Sequence, residues 1–181
     1  EVRRNNLVME DELMDVVDRH DNIIGQKKRS ELCAENSPNC RAINVFLVNA
    51  QGQIWIPRRT AHKQFFPLHL DMSCGGCVRS SESYEDGMRR EVEEELNIDI
   101  GRVSWHLLGH LTPYDDGVSM FMKVYELQDN ETPQWNQDDF VESYWLWPWQ
   151  IMDWVQNGEP VKDDLPLLVK RFYMTEADRV N

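Results

Sequence analysis

The sequence predicts an α/β fold of the α+β type, in which helices pack against a mixed β-sheet. Two observations lead to this fold class. Short strand-like stretches are interrupted by segments with helical periodicity, and their order is irregular rather than the strict strand–helix–strand alternation of a parallel sheet. The chain has 181 residues, of which 41% are hydrophobic, so it is long enough for one well-buried core and short for two.

Strands are predicted where β-branched and aromatic residues recur between turn residues. The first two strands form a hairpin, and the next two form a second hairpin about Gln51 and Gly52. Pro57 lacks the amide hydrogen that a central strand donates, so it indicates a sheet edge. The predicted strands are residues 12–18, 22–26, 42–48, 53–57, 70–77, 105–112, 119–127 and 141–146.

The longest predicted helix follows Ser83, which can cap it together with Asp86 three residues later. Apolar residues recur at every fourth position and give the helix one face for the core. These residues are Tyr84, Met88, Val92 and Leu96. Gly87 costs about 1 kcal/mol inside a helix, so we expect it where the helix packs closely on a strand. Two further helices are predicted at residues 148–157 and 165–174.

The same helix carries an acidic motif in register with a preceding glycine. Gly76 is followed by five residues, Glu82, seven residues and then Arg90-Glu91-Val92-Glu93-Glu94-Glu95. Glu91, Glu94 and Glu95 stand at i, i+3 and i+4, so they converge within one helical turn. Such crowding of ionised acids is tolerable mainly where Mg²⁺ or Mn²⁺ lies between them. An acidic run alone would indicate a solvated helix face, and the fixed register argues against that alternative.

This motif resembles the Nudix box, G-x5-E-x7-R-E-U-x-E-E-x-G-U, in which U is an aliphatic residue. The chain departs from it where Asn97 replaces the last glycine, and asparagine also tolerates the left-handed conformation at a helix end. The resemblance implies the α/β/α sandwich of that family. It also implies a single Nudix hydrolase domain at residues 11–181, preceded by a tail or cloning remnant at residues 1–10.

The resemblance further implies metal-dependent hydrolysis of a diphosphate linkage, in a nucleoside diphosphate linked to another moiety or in a related organic pyrophosphate. Roughly one to three Mg²⁺ or Mn²⁺ ions would activate a water molecule, with Glu91 as the expected general base or base-orienting ligand, since Nudix enzymes differ in which carboxylate is the base. Arg90 would orient the acids, for example through Glu94. The residues implied for the metal site are Gly76, Glu82, Glu91, Glu94 and Glu95, with Asp139 or Glu142 from the region of the last strand.

Sequence outside the box is similar to the isopentenyl-diphosphate-isomerase-like branch of the superfamily, and also to Nudix enzymes that act on thiamine diphosphate derivatives. The similarity includes residues 12–18 and 58–63. Arg59 and Lys63 match positions that hold the diphosphate in isomerases, and Arg58 is a further candidate, because a guanidinium group grips phosphate oxygens bidentately. The alternative is that all three are ordinary surface cations.

An isomerase-like enzyme and a non-catalytic nucleotide-binding Nudix module are the alternative functions. The resemblance to isomerases implies that their reaction uses a cysteine paired with a glutamate. Gly75 stands where isomerases carry the cysteine, and Cys74 falls one place early, so it points to the opposite face of a strand. Val118 and Met120 stand at the acidic positions. Isomerisation therefore lacks its acid–base pair, whereas the carboxylates for hydrolysis are complete.

Three of the four cysteines fall where isomerases place metal-binding histidines. These are Cys33, Cys40 and Cys77, and they suggest a Zn²⁺ site made of thiolates. Cys74 and Cys77 form a Cys-x-x-Cys pair that could join this site or act in redox chemistry. Free cysteines are among the most buried residue types, so buried thiols are the preferred interpretation.

The net charge of −13 disfavours nucleic acid and anionic membranes as partners, because long-range repulsion slows their approach. No aliphatic run approaches the length of a membrane span, and no signal-peptide pattern opens the chain. We therefore expect a cytoplasmic protein whose partner is a small-molecule diphosphate. Paired chains are common in the Nudix superfamily, so we also expect a homodimer.

Overall fold

A computed structural model describes residues 11–179, so the tail predicted at residues 1–10 lies outside the described residues. The strands are β1 (Leu13–Val17), β2 (Ile23–Lys28), β3 (Arg41–Val48), β4 (Ile54–Arg59), β5 (Cys74–Cys77), β6 (Ser104–Leu111), β7 (Phe121–Gln128) and β8 (Phe140–Leu146). The helices are α1 (Arg29–Ala34), α2 (Tyr84–Leu96), α3 (Pro148–Gln156) and α4 (Asp164–Tyr173). Short 3₁₀ turns lie at Ile100–Arg102 and Ala177–Arg179.

The main sheet is mixed, as the sequence predicts. Its strands lie in the order β6-β7-β3-β4-β8, and β5 pairs with β3 beside β4. β3 runs parallel to β7, whereas its pairings with β4 and β5 are antiparallel. β1 and β2 form a separate antiparallel hairpin.

Helices cover both faces of the main sheet because residues along β3 alternate between two apolar clusters. Ile43, Val45 and Leu47 pack with the apolar stripe of α2 on one face. Ala42 and Phe46 pack with apolar residues of α3 and α4 on the other face. Each large side chain that is fully removed from water contributes about 1.5–3 kcal/mol. The predicted α/β/α arrangement is therefore present.

Helix α2 forms with the ends that its sequence predicts. The Ser83 side chain accepts a hydrogen bond from the backbone of Asp86, and the Asp86 side chain accepts one from Ser83. Asn97 ends the helix in the left-handed conformation, at φ 53°. A methyl group added at Gly87 would lie 3.3 Å from Val78 Cγ2, just beyond β5. The expected close packing at this glycine is confirmed.

Two features of the fold differ from the sequence prediction. Pro57 does not mark a sheet edge, because β4 lies between β3 and β8. The proline is tolerated because β4 is registered with β3 only at Val48 and Ile54, and β5 takes its place along the rest of β3. The short helix α1 was not predicted. Within residues 11–179, every helix is too short or too polar to cross a bilayer.

Candidate active site

Helix α2 presents its acidic residues at different depths. The apolar stripe fixes the rotation of the helix against the sheet, and the acids lie on the flank beside it. The Glu91 side chain is 13% exposed and Glu95 is half-buried, whereas the Glu94 side chain is 52% exposed. The structure therefore brings Glu91 and Glu95 inward and leaves Glu94 toward solvent.

Arg90 lies among the acids and joins α2 to β5. Its Nε and Nη2 donate to the two carboxylate oxygens of Glu82, at 2.6 and 3.0 Å. Its Nη1 donates to Glu91 at 2.6 Å, and the expected contact with Glu94 is longer, at 3.4 Å. Nη2 also donates to the Cys77 carbonyl at 3.1 Å. The ion pair lowers the pKa of Glu82 and fixes the direction of the Glu91 carboxylate.

Gly76 leaves room for the Glu91 carboxylate. A Cβ atom at Gly76 would lie 2.2 Å from Glu91 Oε1 and 2.3 Å from its Cδ. No side chain fits there while Glu91 keeps this position, so the glycine allows the carboxylate to lie directly on the backbone of β5. This contact explains the register between the glycine and the acids in the sequence.

The inner acids are electrostatically crowded. Burial raises the pKa of Glu91, although the neighbouring Arg90 opposes this effect. Burial raises the pKa of Glu95 well above its ordinary value, and the charges of Glu91, Asp139 and Asp71 raise it further. Within residues 11–179, no three His, Cys, Asp or Glu side chains are grouped as a metal site. Arg90 engages both carboxylate oxygens of Glu82 but only Oε1 of Glu91, so Glu82 would have to release this partner to bind a metal ion.

Two cations and two aspartates extend this acidic group toward β4. Arg59 Nη1 donates to Asp71 Oδ2 at 2.6 Å, and Lys63 donates to Asp139. The backbone amide of Thr60 donates to the Asp139 carbonyl at 3.1 Å, so this pairing is held by the loop after β4. The structure thus places Arg59, Lys63 and Asp139 beside the acids of α2.

Asp71 was not identified from the sequence. It is buried, its charge acts on Glu95, and it pairs with Arg59. The sequence offered one signal for Asp71, namely a carboxylate between the apolar residues Leu70 and Met72. A carboxylate buried in such a stretch needs a charged partner.

Arg58 and Glu142 lie on the α3 side of the sheet, which corrects their expected place beside the acids. They are directly opposite each other in the β4–β8 register and form an ion pair. Arg58 also pairs with Glu159 and lies over the ring of Tyr144, which packs against Trp154 of α3. A bulge lies between Arg58 and Arg59, and the two guanidinium groups have different partners, Glu142 and Glu159 for Arg58 and Asp71 for Arg59.

The cysteines lie close to one another without forming a metal site. Cys40 is buried and Cys77 packs against it, whereas Cys33 is exposed. Burial raises the pKa of Cys40 to about 12, which disfavours the thiolate that zinc requires. Burial also raises the pKa of Cys77, and the positive charges of Arg29 and Lys162 oppose this effect. Because no group of three such ligands occurs in the described part of the chain, the structure gives the predicted Zn²⁺ site no support.

Comparison with known proteins identifies the family. A family model described as the NUDIX domain matches residues 38–165. The chain belongs to the Nudix family. A protein of Nostoc sp. named as an uncharacterized Nudix hydrolase is 53% identical over 162 residues, which are 90% of this chain and 96% of the relative. A Nudix hydrolase of Deinococcus radiodurans is 43% identical over 166 residues, 92% of this chain and 96% of the relative.

Among solved structures, the crystal structure of DR0079 from Deinococcus radiodurans matches with a TM-score of 0.87 at 42% identity. The match covers 90% of this chain and 99% of that chain. This similarity confirms the predicted fold. The family model and the relatives named Nudix hydrolase also confirm the predicted enzyme class, a Nudix hydrolase of the pyrophosphohydrolase type.

Proposed function

We propose that this Nudix hydrolase cleaves a diphosphate linkage in a small organic molecule, with Mg²⁺ or Mn²⁺ as cofactor. The substrate class is a nucleoside diphosphate linked to another moiety or a related organic pyrophosphate. The observation that supports this most directly is the contact of Glu91 with Gly76, beside Glu95 and within the ion pairs of Arg90. These contacts connect Gly76, Glu82, Arg90, Glu91 and Glu95 of the box in one group.

The residues fit a hard divalent cation. The available donors are carboxylate oxygens and the β5 backbone, which are the ligands that Mg²⁺ and Mn²⁺ prefer. Burial and then the charges of Glu91, Asp139 and Asp71 raise the pKa of Glu95, and a bound cation would offset these charges. Glu91 and Glu95 are the inner ligands in this proposal, with Glu82, Asp139 and the more exposed Glu94 around them. When bound, the metal would supply Lewis acidity and a more acidic water molecule.

The side chains around the acids have separate tasks. Arg90 holds Glu91 against Gly76, so that the carboxylate is oriented before the substrate arrives. Glu91, held against Gly76 by Arg90, is the proposed acceptor of the proton from the attacking water. Lys63 exchanges its partner Asp139 for a phosphate oxygen, whereas Arg59 keeps Asp71 and offers its remaining N–H groups. Both cations neutralise the charge of the leaving phosphate.

A substrate screen with a matched pair of variants tests this function. Nucleoside triphosphates, nucleotide sugars, dinucleotides, thiamine diphosphate and isoprenoid diphosphates are incubated with Mg²⁺ or Mn²⁺, and the phosphate esters, phosphate and pyrophosphate formed are separated by anion-exchange chromatography and measured. Glu95→Gln should lower turnover by roughly three orders of magnitude or more. Glu93→Gln is the control, since Glu93 is exposed on the same helix. Equal turnover in both variants would contradict the proposal.

The isomerase alternative has less support from the site. Cys74 is fully buried in the cluster beneath α2, and burial raises the pKa of its thiol well above the ordinary value. Val118 and Met120 pack with the apolar core on the α4 side. Incubation with isopentenyl diphosphate and metal, followed by analysis for the allylic product, separates isomerase from hydrolase. Binding of nucleotide without turnover in the screen would identify a non-catalytic module.

Four finer expectations stay predictions: the isopentenyl-diphosphate-isomerase-like branch, the Zn²⁺ site, the homodimer and the cytoplasmic location. Metal analysis of the purified protein tests the zinc site, and the buried, protonated Cys40 argues against it. Light scattering tests the dimer.

A further inference from the structure

The segment between α3 and α4 brings a lysine to the candidate site. Val161 and Leu70 form a parallel β-bridge, and the Lys162 amide donates to the Leu70 carbonyl at 2.8 Å. Asp71 is the next residue, so the backbone fixes Lys162 beside it. Lys162 therefore reaches the site from a part of the chain remote from the box.

Asp71 lies between two cations that meet its two oxygens. It is 3% exposed, and its Oδ2 accepts a hydrogen bond from Arg59 Nη1 at 2.6 Å. Its buried Oδ1 has no hydrogen-bond partner, and the ammonium of Lys162 lies 3.8 Å away. A buried carboxylate oxygen without a hydrogen bond is costly unless a charge compensates it. Asp71 thus stabilises Arg59 and Lys162 as a pair of neighbouring positive charges.

The Lys162 side chain makes fewer hydrogen bonds than the other cations of this group. Lys63 donates to Asp139, and Arg59 donates to Asp71 and to the Phe65 carbonyl. At 3.8 Å, the contact of Lys162 with Asp71 exceeds hydrogen-bond length. Its side chain is 27% exposed. Among residues 11–179 the ammonium forms only this ion pair, so its three N–H groups are available to a ligand.

We propose that Lys162 binds a phosphate group of the diphosphate substrate, and that Asp71 is the residue that positions Lys162 and Arg59 for this contact. The proposal rests on the hydrolase function above. It adds a phosphate-binding residue from outside the box. The competing explanation is that Lys162 only neutralises a buried carboxylate, in which case its removal lowers stability and leaves ligand affinity unchanged.

The test measures binding of methylenediphosphonate, a diphosphate that cannot be hydrolysed, in the presence of Mg²⁺ by isothermal titration calorimetry. Lys162→Met should weaken binding about tenfold, since it removes one charge-assisted contact at a partly exposed position. Lys162→Arg keeps the charge and should bind within about twofold of wild type. Arg102→Met is the control for lost charge, because the Arg102 side chain is 86% exposed and pairs only with nearby Asp99 among the described residues.

Asp71→Asn tests the positioning role. If Asp71 holds the ammonium in place, Lys162→Met should weaken binding much less in the Asp71→Asn background than in wild type. Should Asp71→Asn fail to fold, the comparison of Lys162→Met with Lys162→Arg decides the binding role.

Each outcome has a separate meaning. Equal affinities of wild type and Lys162→Met overturn the role of Lys162, while Mg²⁺-dependent binding by both keeps the proposed function. Equal losses in Lys162→Met and Arg102→Met indicate long-range charge and also overturn it. Failure of wild type to bind methylenediphosphonate with Mg²⁺ overturns both the inference and the function on which it rests.

Discussion

Gly76→Ala tests the contact on which the site depends. The added methyl carbon would lie 2.2 Å from Glu91 Oε1, whereas carbon and oxygen atoms need more than 3 Å between them. The carboxylate must therefore move by about 1 Å or change its rotamer. Glu91 is a flexible side chain, so the fold survives at a cost of about 1–2 kcal/mol for the altered rotamer and the weakened pair with Arg90. A displacement of about 1 Å at reacting groups lowers turnover by roughly 100-fold.

Gly25→Ala is the matched control. Gly25 lies in β2, and a Cβ there would have no heavy atom within 4 Å. Turnover on a substrate found in the screen, Mn²⁺ affinity by titration calorimetry and the urea midpoint are measured for both variants. Only Gly76→Ala should lose turnover and metal affinity, and both variants should unfold cooperatively. Wild-type turnover and Mn²⁺ affinity in Gly76→Ala would refute the assigned position of the Glu91 carboxylate.

Three further substitutions test the charges and the end of α2. The pKa of Glu95 is higher in the folded protein than its ordinary value of 4.5. The stability that this group contributes is therefore fully present below pH 4.5 and is lost as the pH rises toward the folded-state pKa. Glu95→Gln should therefore raise the urea midpoint at pH 7 in metal-free buffer, and an unchanged midpoint would count against the crowding. Arg90→Met leaves Glu82 and Glu91 without their cation and should lower the free energy of unfolding by about 2–4 kcal/mol. Urea denaturation measures this change. A loss below about 1 kcal/mol would contradict the ion-pair network. Asn97→Ala should lower the free energy of unfolding by about 1 kcal/mol, because alanine disfavours the left-handed conformation at this helix end. Asn97→Gly should lower it less. Thermal unfolding of both variants tests this order, and a larger loss in Asn97→Gly would contradict it.

Local sequence signals were sufficient to predict helix α2, its two ends and its buried face. Ser83, Asp86 and Asn97 act within a few residues, so their capping roles are visible without the tertiary structure. The apolar stripe likewise predicts which face of the helix is buried. The register of Gly76 with the acids pointed to a shared site, although the contact itself becomes visible only when β5 and α2 are packed together.

Long-range pairing explains what the sequence did not predict. Pro57 suggested a sheet edge because proline lacks a backbone hydrogen-bond donor. The sequence does not show that β5 pairs with most of β3, so that β4 needs few hydrogen bonds to β3. Glu142 belongs to the other face because it is registered with Arg58. Lys162 reaches the site through a bridge to Leu70 that no local pattern records.

The guanidinium of Arg90 has a consequence for how a divalent cation would enter. It already places a positive charge beside Glu82 and Glu91. A divalent cation that binds here therefore replaces one counterion of the carboxylates by another. Arg90 thus relieves the repulsion between Glu82 and Glu91, whereas Glu95 stays crowded and has the most to gain from a second cation.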